Sequence, residues 1–187
     1  MKDAVGLYAA DNPLSVVAHI AHVHALAHCG DVQQAREGLA RFRSGGLERL
    51  AMNINWYANA AMIAETASLI DDHELCQLIP LLMPQRSLTI DVGASTGFLG
   101  PMARYLGQVL AACGRLDQAV SALEEAVDRA TVSATPPWAT LARADLARVL
   151  QRRNRAQDAE HAESLERQAQ LDADRFGMGS LERRCRY

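Results

Sequence analysis

Aromatic residues make up only 5 % of the 187 positions, and β-branched residues are also few. Those two kinds of residue favour strands, so their scarcity argues against a fold built mainly of sheet. Alanine, leucine and arginine dominate the composition instead, and they lose little side-chain freedom in a helix. We therefore expect an all-α protein, and this length fits a single domain over residues 1–187.

Further absences narrow the class of protein. The longest apolar stretch, residues 13–29, is short and interrupted by histidines, so no membrane-spanning helix is expected. The net charge of -3 does not steer the chain toward nucleic acid. There is no signal-peptide pattern and no CxxC pair, so a reduced, cytoplasmic protein is expected, with cysteines acting mainly as small apolar residues. The four cysteines are Cys29, Cys76, Cys113 and Cys185.

A repeat of about forty residues organises the chain. Four segments read as helix, tight turn, helix, and their turn residues are 41, 43 and 40 positions apart. These turn residues are Gly30, Asp71, Gly114 and Asn154. A small residue follows each turn after five positions, namely Ala35, Cys76, Ala119 and Ala159. The spacing is typical of stacked helical hairpins.

The clearest repeat is "ARYLGQVLAACGRLDQAVSALEEAVDRA", residues 103–130. Its small residues Gly107, Ala119 and Ala126 predict helices that approach closely, as in a tetratricopeptide pair. Such pairs cannot bury their apolar faces alone, so neighbours must stack. The predicted fold is therefore a right-handed α-solenoid of about four tetratricopeptide-like pairs. Their ranges are about 13–43, 53–84, 98–131 and 137–175, with a long loop at 85–97. The "GASTG" in that loop lacks the Gly-Lys-Ser/Thr ending of a phosphate-binding loop.

Several segments of residues 56–184 carry a family resemblance, among them "GFLGPMARYLGQVLAACGRLDQAVSALEEAV", "PPWATLARADLARVL" and "DADRFGMGSLERR". In this order they resemble the C-terminal repeat region of LuxR-type (MalT-like) transcriptional regulators and related adenylate cyclase regulators of bacteria. The resemblance implies a sensor or protein-docking scaffold, either excised from a larger regulator or free-standing. No Walker A, cyclase or helix-turn-helix pattern is present, so the ATPase, cyclase and DNA-binding activities of that family are not expected here.

In this repeat pattern, the fifth, ninth and thirteenth positions of each first helix line a concave groove. Alignment on Gly107 predicts a polar row there: His24, His28, Glu65, Arg104, Gln108, Arg148 and Arg152. Polar side chains on a face that could have been apolar indicate binding. The predicted function is thus non-catalytic binding of a protein or peptide, or of a small effector. We also expect self-association, because the terminal repeats lack obvious polar caps.

Four histidines between residues 19 and 28 suggest a metal centre, but they divide between two faces of a helix. His19 and His22 fall at packing positions, where hydrogen-bonded imidazoles are expected. His24 and His28 have the i, i+4 spacing of metal ligands, yet they lack the Glu of HExxH and an evident third ligand. We therefore predict no metal, no cofactor and no catalytic residue. The alternative is a small-molecule enzyme or metal-binding protein that uses His24 and His28.

Overall fold

The computed structural model describes residues 2–12, 15–42, 55–78, 82–92 and 97–178. Most of these residues are helical, which confirms the all-α class. The α-helices in these ranges are α1 (Lys2–Asp11), α2 (Val16–His28), α3 (Val32–Leu39), α4 (Trp56–Leu69), α5 (Met102–Ala112), α6 (Leu116–Val132), α7 (Pro136–Arg153) and α8 (Asp158–Phe176). One antiparallel hairpin, β1 (Thr89–Val92) with β2 (Gly97–Pro101), precedes α5.

The four turn residues expected from the repeat all have positive φ, the left-handed conformation that ends many helices. Gly30 and Gly114 have φ of 81° and 72°, and Asp71 and Asn154 have φ of 50° and 51°. Each stands directly after a helix or one residue beyond it. The predicted turn positions are therefore confirmed, and the short connections make helices such as α5 and α6 antiparallel.

Small residues let the paired helices approach closely. A Cβ on Gly107 would lie 2.6 Å from Cγ of Leu123, and a Cβ on Gly38 would lie 2.4 Å from Cγ2 of Val23. Ala119 is fully buried at the α5–α6 contact. The close approach predicted for the 103–130 segment is therefore confirmed.

The small-residue prediction is wrong for the last pair. Ala159 is exposed, and the buried alanine of α8 is Ala162 instead. The turn after Asn154 is longer than the others, since α8 begins only at Asp158. Because the turn is longer, the buried face of α8 begins later in the sequence than the repeat pattern predicts.

The predicted loop at 85–97 is wrong in part, because Thr89–Val92 forms a strand and Gly97 begins the next one; residues 93–96 of the loop lie outside the described residues. Thr89, Ile90 and Val92 are β-branched residues suited to a strand, and Ile90 is buried. Ile90 pairs with Gly100, and a bulge follows it. Gly100 has φ of 81°, and a Cβ there would lie 2.7 Å from the ring of Trp138. The second strand is thereby packed against Trp138 at the start of α7.

The second predicted pair, 53–84, also differs from expectation. After α4 the described residues include two short 3-10 segments, His73–Leu78 and Met83–Gln85, and residues 79–81 of the predicted second helix lie outside the described residues. The sequence has prolines at 80 and 84 here, and proline removes a helical hydrogen-bond donor and clashes with the preceding turn. In addition, α1 lies outside every predicted pair and packs against α2.

Two cysteines have defined states. Cys29 is an exposed free thiol, whereas Cys113 is disulfide-bonded. The expectation of free thiols throughout is therefore wrong for Cys113. Across the described ranges, every helix is too short or too polar for a bilayer-spanning segment.

Candidate functional site

Arg104 is the centre of the site, and only 1 % of it is exposed. It lies in the first turn of α5, where it reaches both neighbouring helices. Its Nη2 donates to Oε1 of Glu65 on α4 at 3.0 Å, and its Nε lies 2.7 Å from Oδ2 of Asp145 on α7. A single guanidinium therefore connects two carboxylates from helices on either side of α5.

The two carboxylates of this cluster keep Arg104 charged although it is buried. Burial by itself would lower the pKa of Arg104, but the fields of Asp145 and Glu65 outweigh it and raise the pKa above its usual value. Asp145 also accepts from Nε2 of Gln108 at 2.7 Å and pairs with Arg148. Nη1 of Arg104 is buried and has no hydrogen-bond partner among the described residues.

The second oxygen of Glu65 faces two histidines of α2. Oε2 lies 3.6 Å from Nε2 of His24 and 3.9 Å from Nε2 of His28. The two imidazole rings are 4.4 Å apart and nearly perpendicular. Nδ1 of His24 is hydrogen-bonded to Oγ1 of Thr66 at 3.2 Å. Two nitrogens and one oxygen, all possible metal ligands, thus lie within 4.8 Å of one another.

A cleft of about 580 Å³ opens beside this cluster. Glu65 and Arg104 contribute to its inner wall. The outer polar side chains come mainly from α7, with one each from α5, from the end of α4 and from the turn that follows α4. They are Ser68, Asp71, Gln108, Arg148, Gln151 and Arg152. Arg152 is exposed, so its guanidinium group can reach a molecule in the cleft, whereas Arg148 has 31 % of its side chain exposed and is paired with Asp145.

The structure brings the seven predicted groove residues together, but in two different environments. Gln108, Arg148 and Arg152 line the cleft, as do Glu65 and Arg104 at its inner wall. Glu65 and Arg104 are buried and paired with each other, so they are not the solvent-facing contacts that were expected. His24 and His28 are not among the lining residues and lie on the other side of Glu65.

Sequence reasoning missed Asp145, the second carboxylate of the cluster. It also found no third ligand for the two histidines. In the structure Glu65, on α4, provides that third ligand. One local signal for Asp145 was present. It is an acid three residues before Arg148, within an Ala- and Leu-rich helix, and such a residue needs a partner when buried.

His19 and Arg153 lie outside the cleft and make contacts that stabilise the fold. His19 Nε2 is 3.0 Å from the carbonyl oxygen of Gly38, which confirms a hydrogen-bonded imidazole. Arg153 forms a two-pronged pair with Asp158, with Nη2–Oδ1 at 2.7 Å and Nε–Oδ2 at 2.9 Å. This pair lowers the pKa of Asp158 to about 2 and fixes the turn between α7 and α8.

Comparisons with family models, with curated proteins and with solved structures found no match to this chain. The resemblance to LuxR-type regulators stays a prediction, and the proposed function is based on the residues of the cleft.

Proposed function

We propose that this chain is a non-catalytic binding scaffold whose cleft takes a peptide or small effector through an anionic group. The observation that carries the proposal is the convergence of Arg148, Arg152 and Gln108 on one cleft of about 580 Å³. Cavities of this size accommodate small molecules or a few residues of a peptide.

The rim of the cleft favours an anionic ligand. At the inner wall, Glu65 and Asp145 are buried and share the guanidinium of Arg104, and Asp145 also pairs with Arg148. At the rim, Arg152 is exposed and Arg148 is partly exposed, and one further acid, Asp71, lines the cleft. Guanidinium groups bind carboxylates and phosphates through paired hydrogen bonds. A ligand with such a group would meet donors at the rim of the cleft.

We further propose the solenoid arrangement of helix pairs, right-handed and tetratricopeptide-like, as the scaffold. Its support is the order of contacts between first helices: α2 packs on α4, α4 on α5, and α5 on α7. Successive inner helices in contact are what a stacked repeat requires. We also propose that the chain acts as the docking or sensor region of a bacterial regulator. The cytoplasmic location stays a prediction, which the disulfide at Cys113 does not favour.

Self-association through the ends of the stack belongs to the same proposal. Exposed apolar side chains occur at both ends of the described chain, where no neighbouring repeat covers them. Leu7 and Tyr8 are 69 % and 60 % exposed on α1, and Leu171 is 65 % exposed on α8. Exposed apolar groups of this kind are suited to contacts between copies.

The test is a thermal-shift screen with carboxylates, phosphates and short acidic peptides. We expect a binder that stabilises the wild type and loses at least about tenfold in affinity for Arg152→Ala, because a charge-assisted hydrogen bond contributes about 1.5–3 kcal/mol. Arg167→Ala, which removes an exposed arginine of α8, is the matched control and should bind normally. Failure of all anionic compounds, or equal binding by both variants, would refute the proposed ligand class.

A further inference from the structure

We propose that His24, His28 and Glu65 form a binding site for a divalent transition metal of the zinc class. The site combines two imidazole nitrogens from one face of α2 with one carboxylate oxygen from α4. It shares Glu65 with the inner wall of the cleft, but its two histidines are not among the residues that line the cleft, and it does not use Arg148 or Arg152.

The spacing of the three atoms fits metal coordination. Ligand atoms 2.0–2.2 Å from a tetrahedral zinc ion lie roughly 3.4 Å from one another. Oε2 of Glu65 is 3.6 Å from Nε2 of His24 and 3.9 Å from Nε2 of His28. The third distance, between the two imidazole nitrogens, is within 4.8 Å, so the two rings would close on the ion when it binds.

The hydrogen bond to Thr66 selects the correct tautomer of His24. The Thr66 hydroxyl donates its proton to the carbonyl oxygen of Met62 at 2.7 Å. It therefore accepts from His24, whose Nδ1 lies 3.2 Å away and must carry a proton. In the neutral imidazole the lone pair is then on Nε2, which faces Glu65. Metal-binding histidines are commonly oriented through such a bond at the other nitrogen.

His28 provides the second observation. Its Nε2 is buried and has no hydrogen-bond partner in the part of the chain that the structure describes. A buried polar nitrogen without a partner carries a free-energy cost, which coordination of a cation by its lone pair would remove. The proposed ion would give Nε2 of His28 a bonding partner.

Arg104 positions the carboxylate. It bonds to Oε1 of Glu65 and is itself held by Asp145, so Oε2 is the oxygen directed at the histidines. Two imidazoles and one carboxylate favour zinc or a similar transition ion over calcium or magnesium, which prefer oxygen ligands. Three protein ligands leave a further position open to water or to another small ligand.

The experiment is a calorimetric titration of the EDTA-treated chain with Zn²⁺, together with the visible spectrum of its Co²⁺ form. We expect about one ion per chain and a spectrum of nitrogen and oxygen ligation. His28→Leu and His24→Leu should each weaken Zn²⁺ binding by more than about 100-fold. The loss of a direct ligand should exceed the roughly 10- to 100-fold loss that follows when only a residue orienting a ligand is removed. Thr66→Val should weaken it by about 10- to 100-fold.

Matched controls separate this site from adventitious binding. Cys29 is an exposed thiol directly beside His28, so Cys29→Ser must bind Zn²⁺ as the wild type does, and so must His161→Ala on α8. Circular dichroism establishes that each variant is folded, and two independent histidine variants guard against the failure of one. Absence of binding, a thiolate charge-transfer band in the Co²⁺ form, or unchanged affinity in a folded histidine variant would overturn the proposal.

Discussion

The helices on the two sides of Arg104 differ in regularity. In the C-terminal part, α5 to α8 have 11, 17, 18 and 19 residues and each packs along the next. In the N-terminal part, α1 to α4 have 10, 13, 8 and 14 residues, and α4 is followed by a 3-10 segment. The regular part forms a continuous platform, against which the less regular part packs.

The buried charges lie at the junction of these two parts. Glu65 belongs to the N-terminal part, Asp145 to the C-terminal part, and Arg104 contacts both. Apolar packing alone has little preference for one register, whereas the pairs of Arg104 with Glu65 and Asp145 require α4, α5 and α7 to be aligned with one another. We infer that this cluster fixes how α4 and α7 are positioned around α5.

The largest expected effect comes from Arg104→Met, which removes the shared cation at the junction. Two carboxylates would remain buried without it, so the free energy of unfolding should fall by about 3–5 kcal/mol. Urea unfolding measures the change. Arg129→Met, which breaks a partly exposed pair and leaves Glu125 with Arg86 as its partner, is the control and should cost about 0–1 kcal/mol. Equal losses in the two variants would contradict a structural role for the buried cluster.

A smaller effect is expected from Gly107→Val, because the added side chain would collide with Leu123 between α5 and α6. Overpacking of this kind costs about 1–3 kcal/mol. Gly38→Val creates the same conflict with Val23 in the N-terminal part. We expect a smaller loss there, since α3 is short and can shift more easily. Thermal unfolding compares the two variants, and a larger loss for Gly38→Val would reverse the proposed difference between the parts.

The smallest effect concerns Asp158→Asn, in the turn between α7 and α8. The Arg153 pair lowers the pKa of Asp158 from 3.8 to about 2. The contribution of this ion pair to the free energy of unfolding is therefore fully present above about pH 4, and it is lost as the pH falls toward 2. The stability difference between wild type and Asp158→Asn should shrink over that interval in urea unfolding. Asp174→Asn, an exposed acid of the same helix, should show no such trend.

The sequence was most informative where local rules decide the structure. Turn positions such as Gly30 and Gly114 and the close approach at Gly107 follow from residue type and spacing. The second pair and the 85–97 segment were predicted less well. There, prolines and β-branched residues compete with the repeat period, and only pairing with residues 97–101 favours the strand.

The sequence by itself determined the helical class, the places where helices turn, and the row of polar residues that meet at one site. The tertiary structure alone decided which of those residues are buried and which line the cleft. It also revealed Asp145 as a partner of Arg104 and Glu65 as a neighbour of both histidines. The physical reason is that helical periodicity is a property of adjacent residues. A charge pair between distant helices depends instead on how those helices pack.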